Sequence, residues 1–490
     1  MAERYDAAII GAGADGLAAA ARLAARGMRV VVLERASQPG GRLVTRPFHA
    51  GYRASSFADD IAPIPSALFW SLDLARHGAR RAPGEIASAL WPGRAVVRGG
   101  DAYREVCEEA RRRRDAALAY AAVPPSRPPS RFNPFATRER EIWPAQSWML
   151  RPLAEVVARH VEDDGEAALA VAAALEGQAA DPFAAGTALH LLTAPQPAAW
   201  RGALGGLGAA LTAAAQAAGA EIACDREVSE IRCHKGRVAG LGLADGGEIA
   251  AAAVISTLDV KRTFLSLFPW SDLEKSIVRQ IGDVRMAGAT ARLLVALGGK
   301  PRLAVPGALP RGAIHLSPDA PDLVEAHAAW RAGILAERLP MAVRIPSLVD
   351  PGLAPQGGAV LTVTIGCVPH TPFDGPWTHD KRDVLVKRVL AAVQQVMPGL
   401  ADLVVAFELL TPPDIERALG VTAGDLSGGA IAPDQMFAWR PGFRDKSPLT
   451  PVPGLYLAGP SSAAGALGTC VAGAIAADAL FADRHAGRLP

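Results

Sequence analysis

Near the N-terminus, apolar positions fall into blocks of different period. Tyr5 to Ile10 is a short apolar run broken only by Asp6, the pattern of a buried strand. After Gly11, Gly13 and Gly16 the chain becomes alanine-rich, with Arg22 and Arg26 interrupting it, as in a helix with one apolar face. Arg29 to Leu33 reads as a second strand, and Glu34 follows it directly. Strand, glycine turn, helix, strand and acid together make a dinucleotide-binding βαβ unit. Gly11 allows the tight turn, Gly13 lets backbone approach a pyrophosphate, and Gly16 lets helix and strand pack closely. The helix N-terminus offers unpaired N–H groups and a partial positive charge. Glu34 stands where a carboxylate accepts from both ribose hydroxyls. Its charge repels a 2′-phosphate, which leaves FAD or NAD as the nucleotide.

The next residues separate those two. Arg35 follows Glu34, then Gly40, Gly41 and Arg42. Paired glycines bring backbone against a diphosphate, and Arg42 adds a fixed cationic fork. A nicotinamide enzyme has no need of this pattern, so FAD is expected. Ala14 and Asp15 complete the turn. Asp15, close to an anion, is expected to face solvent or to cap the helix.

Further along, Tyr103 to Arg114 reads as a charged helix with a solvated face, and Pro124 to Pro129 as a linker. Gly202, Gly205, Gly206 and Gly208 open a second alanine-rich helix ending near Gly219. It has no strand directly before it and no acid at the right spacing after it, so it is not a second nucleotide site. Short strands follow at 220–222, 228–231, 237–241 and 249–255. Pro453 to Gly459 reads as a strand ending in glycine. Ser461, Ser462, Gly465 and Gly468 form a loop, and Thr469 to Leu480 a helix. Such a strand, loop and helix N-terminus can hold ribitol phosphate and aim a dipole at the flavin pyrimidine ring.

Gly11 to Arg42 resembles the N-terminal signature of flavin amine oxidases and phytoene-desaturase-like enzymes. Val343-Arg344-Ile345-Pro346-Ser347, Asp350 to Pro355, Leu410 to Arg417, Asp434 to Phe437 and Arg440-Pro441 resemble the phytoene-dehydrogenase-related branch. That branch includes the pyridine nucleotide-disulphide oxidoreductase domain-containing protein 2 group. The resemblance implies an α/β fold: a discontinuous, Rossmann-like FAD-binding domain (1–75, 200–264 and 441–490) and a mixed α+β substrate domain (76–199 and 265–440). It implies that the Val228 backbone reaches the adenine and that Gly51 to Ala58 leads toward the isoalloxazine ring. With the residues above, the expected cofactor set is Gly11, Gly13, Ala14, Asp15, Gly16, Glu34, Arg35, Gly41, Arg42, Val228, Gly459, Ser461, Gly468 and Thr469. Relatives place histidine, proline and extra glycines in the last loop, whereas this chain has Pro460 to Ala466, so catalysis or substrate type is expected to differ.

Bulk properties narrow the function. At 490 residues the chain suggests two or three domains. A net charge of +2 with no basic block makes nucleic acid an unexpected partner. The five cysteines form no CxxC, which excludes a redox dithiol, and each is expected to be a small buried apolar residue. The ten histidines show no HExxH or HxxxH, so no metal site is expected. No signal segment precedes the first strand, and no stretch is long and apolar enough to span a membrane; a cytoplasmic protein is expected, with peripheral membrane contact open. The expected reaction is FAD-dependent dehydrogenation or desaturation at a C–H bond of an apolar or amphipathic small molecule. The alternatives are a flavin amine oxidase, which would want an aromatic cage and a lysine-held water, and a flavin-binding protein without turnover. Aromatics form only 6% of the chain, against the cage. Arg292, Arg344, Asp434 and Arg440 are candidate pocket groups or structural ion pairs. With no second nucleotide unit, electrons are expected to leave for oxygen, a quinone or another acceptor.

Overall fold

The computed structural model describes residues 4–82, 85–122, 147–148, 150–194, 199–269, 273–440 and 448–489. The expected linker at Pro124 to Pro129 and residue Pro441 lie outside the described residues.

Two seven-stranded sheets organise these residues. The first is built around β1 (Arg4–Ile10), which pairs in parallel with β2 (Val30–Leu33) on one side and with Glu248–Ser256 on the other. Glu221–Ala223 extends it beyond β2, also in parallel. Leu455–Leu457 lies parallel to the end of Glu248–Ser256. Val228–His234 and Arg237–Leu243 add an antiparallel flap. The four residues of β2 are all buried, as expected of a parallel strand covered on both faces.

Between β1 and β2 runs α1 (Ala14–Ala24), with eight of its eleven residues buried. Small side chains account for this. Ala18 to Ala21 let α1 sit between β1, the helix Ala203–Ala217 and the helix Val471–His485 in one apolar cluster. A Cβ on Gly16 would stand 2.0 Å from the Gly11 carbonyl oxygen, so only glycine permits this approach. Gly11 itself has φ +94, a conformation that glycine adopts without strain.

The second sheet runs in the order Val404–Leu410, Ala291–Leu297, Ala359–Ile365, Met341–Arg344, Ile314–Leu316, Ser88–Leu90, Val97–Arg98. One face is apolar, with Leu293, Val363, Val343 and Ile314 in a cluster that also holds Leu385, Val389 and Val393 of the helix His379–Val396. The other face carries a row of polar residues. Arg292 lies opposite Thr364, Thr364 opposite Ala342, and Ala342 opposite His315; Arg344 lies opposite Thr362. Residues that pair directly share a face, so Arg292, Thr364, His315, Arg344 and Thr362 all project to one side.

Two expectations need correction. The charged run from Tyr103 lies on the helix Asp101–Ala122, but Arg114 is only 1% exposed and its Nη1 donates to the Ala194 carbonyl at 3.4 Å. Tyr103, Val106, Ala110, Arg114 and Ala117 recur at three- and four-residue spacing and form one buried face, so Arg114 sits on the apolar side. Burial lowers its pKa to about 10. Of the cysteines, Cys367 and Cys470 are buried, but Cys107, Cys224 and Cys233 are half-buried, all as free thiols.

A Gly16→Ala protein is expected to melt several degrees lower, because overpacking against backbone costs about 1–3 kcal/mol. An unchanged melting temperature by circular dichroism would contradict the close-packed turn.

Candidate functional site

A cleft of about 680 Å³ opens over the C-terminal ends of β1 and β2, where open parallel sheets bind ligands. Gly11, Gly13, Ala14 and Asp15 line it from the turn, and Glu34, Arg35, Gly41 and Arg42 from the residues after β2. The first turn of α1 begins at Gly13 with no side-chain cap, so its N–H groups face the cleft without a side-chain acceptor. Glu34 is fixed by backbone. One carboxylate oxygen accepts from the Ala12 N–H at 2.8 Å, the other from the Ala36 N–H at 2.9 Å. Each oxygen keeps further acceptor capacity toward the cleft. Arg42 donates through Nη1 to the Leu426 carbonyl at 3.0 Å, while its buried Nε has no partner among the described residues. These are features that a dinucleotide diphosphate and ribose satisfy: orphan N–H groups, a fixed acid and an incompletely used guanidinium. The residues present fit FAD.

Asp15 is partly exposed on the cleft wall and does not cap its own helix. Its carboxylate accepts from the Gly473 N–H at 3.1 Å, in the first turn of the helix Val471–His485. A Cβ on Gly473 would meet the Asp15 carbonyl at 1.9 Å, so the two helix N-termini are held in backbone contact. Burial raises the Asp15 pKa to about 7, against the opposing pull of the Gly473 N–H and Arg42. A carboxyl that is half neutral near pH 7 thus stands beside the expected diphosphate position.

The other expected cofactor residues divide. Val228 and Thr469 line the cleft. Thr469 donates through Oγ1 to the Ala62 carbonyl at 2.6 Å. Gly459, Ser461, Gly468 and Gly16 are not on its wall. Ser461 is 1% exposed, donates to the Gly428 carbonyl at 2.8 Å and accepts from the Val260 N–H at 3.1 Å. It ties the last loop to neighbouring segments. Gly459 is pressed against the Thr257 backbone, and Gly468 against Val471 and the Pro63 carbonyl. The last loop is therefore held by packing, with Pro460, Gly465 and Ala466 as its contribution to the wall.

The opposite end of the cleft is lined by Asp59, Asp60, Glu176 and Thr364. Here the polar face of the second sheet meets two acids that follow the strand Tyr52–Ser55. Arg292 Nη1 donates to Asp59 at 2.7 Å. Arg344 donates to Asp60 at 2.6 Å and to both oxygens of Glu176 at 2.6 and 2.8 Å. Burial works to raise the Glu176 carboxyl, but Arg344, with a smaller contribution from Arg292, brings it down to about 2. Of the four candidate pocket groups, Arg292 and Arg344 belong to this cluster. Asp434 forms a surface pair with Arg285 at 2.6 Å. Arg440 is buried and spent on carbonyls, including that of Pro460 at 2.9 Å. Asp59, Asp60 and Glu176 were not anticipated. The alternation in Leu361-Thr362-Val363-Thr364 marked the polar face, but nothing in the chain announced its distant acidic partners.

The comparisons with known proteins decide the family. Residues 16–477 match the model of the flavin containing amine oxidoreductase family. The chain belongs to that family. It is an FAD-dependent oxidoreductase acting on a small-molecule substrate. It is 27% identical to the mouse pyridine nucleotide-disulfide oxidoreductase domain-containing protein 2, over 98% of this chain and 94% of that one. It is 26% identical to a neurosporene-forming phytoene desaturase of Rhodobacter capsulatus, over 94% of this chain and 90% of the other. A solved oxidoreductase from Methanosarcina mazei shares its fold, with a TM-score of 0.63 at 18% identity over 98% of this chain and 100% of that one. Among the described residues of this oxidoreductase, no group of three or more His, Cys, Asp or Glu side chains could hold a metal ion, and no helix is long and apolar enough to cross a membrane.

Glu34→Ala is expected to weaken FAD binding by about 1.5–3 kcal/mol, on the order of tenfold to a hundredfold in Kd, measured by flavin fluorescence titration of apoprotein. A Kd equal to that of the parent protein would exclude the ribose contact. Asp15 generates a second expectation. Its carboxyl is neutral below about pH 7 and charged above. FAD affinity should therefore be flat on the acid side and fall above that point, by at most roughly tenfold per pH unit for one linked proton. Asp15→Asn should abolish the fall; a slope that survives in Asp15→Asn would point to another group.

Proposed function

We propose that this oxidoreductase is a dehydrogenase of the phytoene-dehydrogenase-like type, which removes hydrogen from a C–H bond of an apolar or amphipathic small molecule. The observation that carries the reading is a shared wall. The nucleotide cleft shares Glu176, Gly177, Gln178 and Thr364 with a neighbouring chamber of about 650 Å³. Trp91, Leu175, Leu316, Leu339, Met341 and Val396 are among the residues of its wall. The same wall also carries Arg94, Asp322, Glu337, Arg338 and Arg388, and a chamber that mixes apolar and charged side chains suits a substrate with both characters.

In this reading the N–H groups at Gly13, Ala14 and Asp15 hold the diphosphate together with Arg42. Glu34 holds the ribose, and the Val228 backbone faces the adenine. FAD, when bound, supplies the two-electron acceptor, and the protein supplies orientation and exclusion of water. Residues 1–75, 200–264 and 441–490 form the FAD-binding domain, and 76–199 with 265–440 the substrate domain. Contact with a membrane periphery suits an apolar substrate in an otherwise cytoplasmic protein.

The amine oxidase alternative is less well supported. Among the described residues that line the cleft, Phe57 is the one aromatic ring and no lysine is present. Neither the aromatic cage nor the lysine-held water has a source there.

The test is anaerobic mixing of the yellow protein with candidate donors, reading the flavin absorbance. Apolar or amphipathic donors with an oxidisable C–H bond should bleach it. Simple amines and NADPH should not. Rapid, stoichiometric bleaching by NADPH would contradict the electron path to oxygen, a quinone or another non-nicotinamide acceptor.

A further inference from the structure

The buried charges at the far end of the cleft hold no part of the nucleotide cradle. Asp59 is held on one oxygen, its Oδ2 accepting from Arg292 Nη1 at 2.7 Å and from Thr362 Oγ1 at 3.0 Å. Glu176 has both oxygens on the Arg344 fork. Asp60 is likewise held on one oxygen, its Oδ2 accepting from Arg344 Nε at 3.1 Å and Nη2 at 2.6 Å. Among the described residues no hydrogen bond reaches Oδ1 of either aspartate, and Asp60 is the more open of the two, its side chain 16% exposed against 6% for Asp59. Asp60 lines both the nucleotide cleft and a smaller adjoining cavity.

The charges do not balance. Three carboxylates, Asp59, Asp60 and Glu176, face two guanidiniums, Arg292 and Arg344. His315 does not help. Its Nε2 is 3.9 Å from Glu176, it has no hydrogen-bond partner, and burial lowers its pKa to about 4, so it is neutral. Tyr103, also on this cavity, is pushed further up by burial and stays neutral. At the outer rim Glu85 and Arg311 offset one another. One buried negative charge is left over, a costly state that a single proton relieves.

We propose that Asp60 is the proton acceptor of the reaction, and that Arg344 is the residue that positions it. The inference rests on the dehydrogenase reading given above. Dehydrogenation removes two hydrogens and one electron pair from the substrate. One hydrogen leaves with the electron pair to the bound cofactor. The other leaves as a proton, its former bond pair becoming the new double bond of the product. That proton forms an O–H bond at Asp60 Oδ1, and the carboxylate becomes neutral. The substrate is oxidised, FAD is reduced, and charge within the cluster falls to balance. Burial, opposed by Arg344 and reinforced by Glu176 and Asp59, pushes the Asp60 carboxyl up from its ordinary value. The substrate class this favours carries its departing proton on a carbon or heteroatom adjacent to the oxidised C–H, presented where cleft and chambers meet at Glu176.

The experiment uses the FAD-loaded protein and needs no substrate. If the flavin ring occupies the end of the cleft that Asp60 lines, photoreduction would put negative charge near Asp60 and draw a proton onto it. Proton uptake per flavin is read with a pH-indicator dye in weakly buffered solution near neutral pH. The parent protein should take up more protons than Asp60→Asn, the difference approaching one per flavin. Asp60→Glu should restore most of it, and Asp434→Asn, on the surface, should match the parent. Equal uptake by parent and Asp60→Asn, both carrying FAD, overturns the assignment. Colourless protein in every variant instead sinks the FAD reading on which it rests.

Discussion

Three backbone contacts set the position of everything near the nucleotide. α1 rests on the Gly11 carbonyl through Gly16, Gly41 approaches Gly13, and Gly473 rests on the Asp15 backbone. None leaves room for a side chain without something moving. Together they bring two helix N-termini and the Gly40-Gly41-Arg42 turn to one mouth of the parallel sheet. Unpaired N–H groups converge there beside Arg35 and Arg42. That is why a chain of nearly neutral net charge can hold a cofactor bearing two phosphates.

A second constraint operates at the other end of the cleft. Five ionisable groups and His315 are removed from water where the second sheet turns its polar face inward. Desolvation alone would neutralise the acids, and the Arg344 fork is what keeps Glu176 charged. Breaking such a pair is far more costly than forming it is stabilising. Its place beside the chamber proposed for the substrate gives it a functional reading that stability alone does not.

Much of the first sheet was legible in the chain. A glycine turn between two buried strands has few alternatives, and its helix, register and acid all lie within 34 residues. The shared motifs extended this to the family. Reading failed where contacts are long-range. Asp60 and Arg344 stand 284 residues apart, so their pairing has no local signature. Arg114 was misread for a different reason: its charge outweighed its position, although its spacing from Val106, Ala110 and Ala117 placed it on the buried side. The Ser461 hydroxyl lies off the cleft wall because two backbone partners from distant segments, the Gly428 carbonyl and the Val260 N–H, claim it.

Asp15 brings the two ends of the argument together. A helix N-terminus near a flavin is useful because its charge is free to stabilise electron density on the ring. Here part of that charge is already taken up by the Asp15 carboxylate through the Gly473 N–H. The resemblance noted in the sequence implies a histidine in the last loop, where this chain has Pro460 to Ala466. Both features weaken electrostatic support for a reduced, negatively charged cofactor. Such a site favours donors that give up electrons readily, and it places more of the work of dehydrogenation on whatever removes the proton. The Asp60 carboxylate, held by Arg344 where the cleft meets the smaller cavity, is suited to that share of the chemistry.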